Sequence, residues 1–139
     1  MRKAQVGIEV VVVVGLILAV FIPIIFKLYN DLSSSSDTLN LLQARETAKK
    51  IANVADIVAS AGYPSKVTIT LYVPQNVESI TLNANREIVF TMRTSSGRTE
   101  IVEMGGASLS GTLGTTPGAR TITIAAVEGC ARCASVSAS

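Results

Sequence analysis

The run from Val10 to Phe26 constrains this chain more than any other feature: every residue in it is apolar, Gly or Pro, and a lone carboxylate, Glu9, stands at its edge. As a helix the run spans on the order of 25 Å at 1.5 Å per residue, near the lower limit for crossing the hydrocarbon core of a bilayer. In lipid, an ionised Glu at the lip of such a run costs on the order of 3 kcal/mol unless a cation pairs with it. At headgroup depth in a first helical turn the same carboxylate instead gains about 0.3 to 1 kcal/mol from the helix dipole. Glu9 therefore asks for a cationic partner or a shallow position.

A removable secretory signal should end in a small-residue cleavage site of the Ala-x-Ala kind. Here Phe26, Lys27, Leu28 and Tyr29 follow, so the sequence predicts that the segment is retained. Arg2 and Lys3 precede the run and hold the N-terminus on the cytoplasmic side, sending the rest of the chain outward, with Lys27 a weak opponent.

Lys3, Ala4 and Gln5 stand ahead of the run, and Glu9 follows the Gln by four residues. This arrangement resembles the class III signal peptide of archaeal type IV prepilins: a basic residue, Gly or Ala, then Gln, with a Glu four residues on and a long apolar helix after it. Gly7 departs from that pattern, where the family commonly has Ser. The resemblance implies a leader of residues 1–4, cut between Ala4 and Gln5 by a membrane prepilin peptidase, and delivery to a pilus assembly platform in the membrane. Cleavage would leave a positive amine on Gln5, about one helical turn from Glu9 and able to meet the Glu9 of a neighbouring subunit. Desolvation offsets much of the gain from such a pair in an apolar filament core, so it acts as a register device more than as a source of stability.

Pro23 lacks an amide donor and clashes with the preceding turn, so the sequence predicts a helix kink or a locally melted turn there. Asn30 to Asp37 contains four consecutive serines, and Ser, Asn and Asp compete for backbone hydrogen bonds. That stretch, 30–37, reads as a polar hinge or frayed segment. After it Leu41, Ala44, Ala48, Ile51, Ala55 and Val58 recur at spacings of three and four, one apolar stripe on an amphipathic helix, with Arg45, Glu46, Lys49 and Lys50 on the opposite face. Gly62 and Pro64 make a helix stop.

From Lys66 the hydrophobic period becomes two. Val67, Ile69, Leu71 and Val73 alternate with polar neighbours, and further strand patterns follow at Val77 to Leu82, Ile88 to Met92, Thr99 to Met104, Ser108 to Leu113 and Arg120 to Val127. Asn83, Ala84 and Asn85 mark a hairpin turn; Ser95 to Gly97 and Gly105 with Gly106 mark others. About six or seven short strands at this spacing predict a small antiparallel β-sandwich. The fold class is therefore α+β, and the resemblance to pilins and archaellins implies a lollipop of long helix and sandwich. The expected segments are a leader at 1–4, a long helix at 5–62 whose apolar half is 5–32 and amphipathic half 38–62, and a β-sandwich head at 66–139.

The chain has no His, which excludes a Ser/His/Asp or Cys/His nucleophile and the ordinary catalytic zinc site. Glu78, Glu87, Glu100, Glu103 and Glu128 fall singly in strands or turns and read as solvated positions. The glycines from Gly105 to Gly114 lack the Gly-Lys-Ser/Thr ending of a phosphate loop. A net charge of +2 with scattered Lys and Arg forms no basic stripe for nucleic acid. Cys130 and Cys133 are spaced so that a turn brings them within about 7 Å, which favours a structural disulfide formed outside the cell; a zinc site shared between subunits, a redox pair and free buried thiols stay as alternatives. No Asn-x-Ser/Thr acceptor is present.

These observations predict a non-enzymatic structural subunit with no cofactor and no metal. It would be held in the cell membrane as a precursor and then packed as a homo-oligomer into an extracellular type IV pilus-like filament for adhesion or surface attachment. An apolar rod leaving lipid buries its surface against identical rods, a head-to-tail contact that does not close and so grows a fibre. The competing expectation is an uncleaved, monomeric, membrane-anchored β-sandwich binding module.

Overall fold

The computed structural model describes residues 2–138, with side chains from Gly7 onward and Ser33 excepted. One helix, α1, spans Arg2–Ala61, and seven strands follow: β1 Lys66–Val73, β2 Val77–Asn83, β3 Glu87–Thr94, β4 Gly97–Met104, β5 Ser108–Thr112, β6 Gly118–Ala126 and β7 Cys133–Ala138. The chain divides into two compact units between Ser36 and Asp37.

Helix α1 runs through both places where the sequence argues for a break. Pro23 lies inside it, so no turn melts there. The expected hinge at 30–37 is also helical. The Ser34 hydroxyl donates to the Asn30 carbonyl at 3.2 Å and the Ser35 hydroxyl to that of Asp31 at 2.8 Å. Each serine thus spends its hydrogen-bonding capacity on the carbonyl four residues back, which is compatible with the helix. The helix ends as expected: Gly62 adopts a φ of 74° and its amide closes the last turn on Val58 O at 3.1 Å, the left-handed position where Gly carries no Cβ penalty.

In the second unit the stripe faces inward. Ala44, Ala48, Ile51, Ala55 and Val58 are buried, joined by Ala52 and Ala59. So many alanines bring the helix backbone close to the strands. The core it enters is shared by both sheets: Leu71 and Val73 of β1, Ile88, Phe90 and Met92 of β3, Ile101 of β4, Leu109 of β5, Ile122 and Ile124 of β6, Ala134 and Val136 of β7.

The first sheet has the order β1-β6-β7-β5 and the second β2-β3-β4. All pairings are antiparallel except β5 with β7, so the first sheet is mixed where the sequence predicts a wholly antiparallel one. Gly111 makes that parallel pairing feasible. It sits opposite Val136 at a φ of 125°, and a Cβ there would collide with the Val136 carbonyl oxygen. β7 itself, beyond the strand patterns read from the sequence, is an interior strand of its sheet.

Strands β1 and β4 are edges, and the helix reaches both. The Thr47 hydroxyl donates to the Tyr72 carbonyl at 2.9 Å, and Lys50 Nζ to the Thr70 carbonyl at 3.0 Å. Arg45 pairs with Glu103 of β4 at 3.2 Å. The helix therefore supplies a third side to the core and covers part of an edge that would otherwise offer free carbonyls to another strand.

The hairpin joining β2 and β3 turns where the sequence places it, with Arg86 N donating to Asn83 O at 3.1 Å. The residue that takes the left-handed conformation is Arg86, at a φ of 71°, and neither asparagine.

Candidate assembly surface on the apolar helix

Among its described residues the first unit contains no core of its own. Residues from Gly7 to Leu32 are exposed at every described position, including Val11 at 71%, Leu16 at 63% and Phe26 at 68%. The apolar side chains lie all round the helix, whereas a helix packed on one protein face shows a single stripe. This stretch is long and apolar enough to cross a membrane, and none of it is buried within the chain. Exposed apolar areas beyond a few hundred Å² mark surfaces that meet lipid or protein. The candidate functional surface is therefore this length of helix.

Between Gly7 and Phe26 two features interrupt its uniformity. Glu9 is exposed, and among the described residues it forms no ion pair. Gly15 and Ala19 are one turn apart, and a Cβ on Gly15 would meet nothing within 4 Å. Small residues at this spacing let a second helix backbone approach closely in an apolar medium. The sequence reading missed this pair, although the Gly-x-x-x-Ala spacing was there to be seen.

The other expected site residues are distributed as follows. The side chains of Lys3, Ala4 and Gln5 lie outside the described residues. Pro23 stands in the middle of the exposed helix. Cys130 and Cys133 are joined by a disulfide with their Cα atoms 5.5 Å apart. It braces the turn that leads into β7, where Val127 N donates to Cys133 O at 3.1 Å.

Two carboxylates outside the expected set organise the second unit. Asp56 accepts hydrogen bonds from Gly106 N at 2.7 Å and from Ala107 N at 2.6 Å, fixing the loop between β4 and β5 against the helix. Asp37, the first residue of the unit, accepts from Ser95 N at 2.8 Å in the β3–β4 turn. Hydrogen bonding from Ser95, the side chain first and the amide second, holds the Asp37 carboxyl below its ordinary value. Both carboxylates read as structural ties between helix and loop. Among the described residues no group of three or more His, Cys, Asp or Glu side chains is arranged to hold a metal ion.

The outward face of the first sheet is uncharged over most of its width. Thr68 and Thr123 face each other with their hydroxyls 3.0 Å apart, Thr70 lies opposite Thr121, and Ser135 and Ser137 continue the hydroxyl face on β7.

Comparison with known protein families, with curated proteins and with solved structures finds no match for this chain.

Proposed function

We propose that this chain is the structural subunit of an extracellular filament of the archaeal type IV pilus kind. The observation that carries the reading is the length of exposed helix from Gly7 to Leu32, apolar on every face from Val10 to Phe26, continuing into the helical segment that forms one side of a β-rich core. Such a helix is stored in lipid and leaves it only for another apolar environment. Burying a Val, Leu, Ile or Phe side chain contributes about 1.5 to 3 kcal/mol, so helices packed side by side hold a fibre together without any further site. Gly15 and Ala19 give the close approach; Glu9, paired with the amine that cleavage before Gln5 exposes on a neighbouring subunit, sets the stagger. The β-rich unit coats the outside with hydroxyls, and its disulfide suits an oxidising exterior.

The partners in this reading are copies of the same chain, a prepilin peptidase, and the membrane with its assembly platform. The chain performs no catalysis. The intact mass of the protein in material sheared from cell surfaces, measured without reductant and compared with the membrane fraction, tests the reading. A sheared species that begins at Gln5 and is two hydrogens lighter than the reduced chain supports it. A protein confined to membranes that still carries residues 1–4 overturns it in favour of an anchored monomeric module.

A further inference from the structure

The second unit contains an incompletely filled space. At the end of the sheets where β1 finishes and β6 begins lies a half-enclosed cavity of about 140 Å³. Ile51 of α1, Leu71 and Val73 of β1, Phe90 of β3 and Ile122 of β6 form its apolar floor, all of them buried. Protein interiors pack with few voids larger than a water molecule, and this one opens to solvent past Gly114, Thr116 and Arg120.

Arg120 stands at an unexpected position. Side chains alternate across a strand, and Ile122, Ile124 and Ala126, which share its parity on β6, are all buried. Arg120 therefore occupies the inward register of the sheet, directly across from buried Leu71. The ion pairs among the described residues use Arg45, Arg93 and Arg98, and Arg120 takes part in none. An arginine in such a place can lay its stem over apolar surface and keep its head in water. That arrangement would fill the space beneath it, yet the space is open.

A cavity of about 150 Å³ lined by aliphatic and aromatic side chains accommodates a benzene-sized molecule. Arg120, exposed and part of the lining, carries a guanidinium whose planar fork of N–H donors matches a carboxylate. We propose that this cavity binds a small organic monoanion: a carboxylate with an apolar tail of about six carbon atoms, the tail between the sheets and the carboxylate on Arg120. A single guanidinium matches a single negative charge, and the volume leaves no room for a long acyl chain.

The test is a methyl NMR titration of the full chain in uncharged detergent micelles, with sodium benzoate as the probe and benzyl alcohol as its uncharged counterpart. The expected result is saturable shifts at the Val73, Ile80 and Ile122 methyls, with benzoate binding about tenfold tighter than benzyl alcohol. Arg120→Gln should bring benzoate down to the level of the alcohol. Equal binding of the two probes to the unmodified chain would overturn the proposal whether or not the variant folds. Shifts confined to methyls between Val10 and Phe26, the sign of partition into the micelle, would overturn it as well, as would no saturable shift at the three cavity positions.

Discussion

Replacing Asp56 by Ala removes the acceptor for two backbone amides at once. The Ala107 amide belongs to a residue 1% exposed, so it is left without a partner and without ready access to water, a cost of about 1 to 3 kcal/mol. Gly106 is half-buried and its amide recovers a water, so its loss contributes about 0.5 to 1 kcal/mol. Ala is the better helix former by up to about 0.7 kcal/mol, which offsets part of the damage. The balance is a destabilisation of about 1 to 3 kcal/mol, a sizeable share of the 5 to 15 kcal/mol typical of a domain. Followed by circular dichroism in mild detergent, the urea midpoint should fall by about 0.7 to 2 M for an m-value near 1.5 kcal/mol/M. Exchange of the Ala107 amide should rise with it. Asp56→Asn, which keeps one acceptor oxygen, should lose about half as much. If Asp56→Ala moves the midpoint by less than about 0.3 M and Ala107 stays protected, the clamp contributes nothing and the reasoning fails.

Gly111→Ala should cost at least about 3 kcal/mol, because the new methyl meets backbone and not a side chain that could move aside; amide exchange at Leu109 and Val136 reports it, and unchanged protection there would count against the parallel β5–β7 pairing. Ala48→Leu, inserted where α1 is fully buried, should destabilise by about 1 to 3 kcal/mol through overpacking, read from the same urea titration. The Asp37 carboxyl is held low by Ser95, so the tie between helix and β3–β4 turn is fully formed above the unfolded carboxyl pKa of about 3.9 and is lost as pH falls through the lower folded value. The Ser95 amide shift should follow that titration and should become independent of pH in Asp37→Asn.

Much of this architecture is legible in the residue pattern, and the exceptions have physical causes. The stripe from Ala44 to Val58 and the strands from β1 to β6 announce themselves because each buries one face, so their periods of 3.6 and 2 survive in the sequence. β7 hides because its inward residues are Ala134 and Val136 and its outward ones serines. The alternation exists, but such small side chains give it little amplitude. The serines at 33–36 argue for a break only while their hydroxyls are assumed to compete with the helix; bonded to the carbonyl four residues back, as Ser34 and Ser35 are, they do not. Parallel pairing of β5 and β7 cannot be read from either strand alone, since it depends on which neighbours meet; Gly111 was the signal, and it looks like a turn residue. The candidate assembly surface was the most legible part, because an apolar helix that finds no cover within its own chain keeps an uninterrupted composition. The Asp56 and Asp37 ties were invisible, since a lone carboxylate on a helix reads as solvated until the loop that meets it is known.

The placement of β7 sets an order of events. Among the described residues β5 has no hydrogen-bonded strand partner except β7, and β6 has β1 alone until β7 arrives. Synthesis from the N-terminus thus delivers the helix and six strands while the first sheet still lacks the strand that joins its two halves. The pairing of β1 with β6 spans the greatest sequence separation in the sheet and does not need β7, whereas β5 joins the sheet through β7 alone. Until residues 133–138 are in place, β5 is a loose edge and the core beneath Leu109 stays open. Completion of the first sheet is thereby tied by the chain's own connectivity to the arrival of β7.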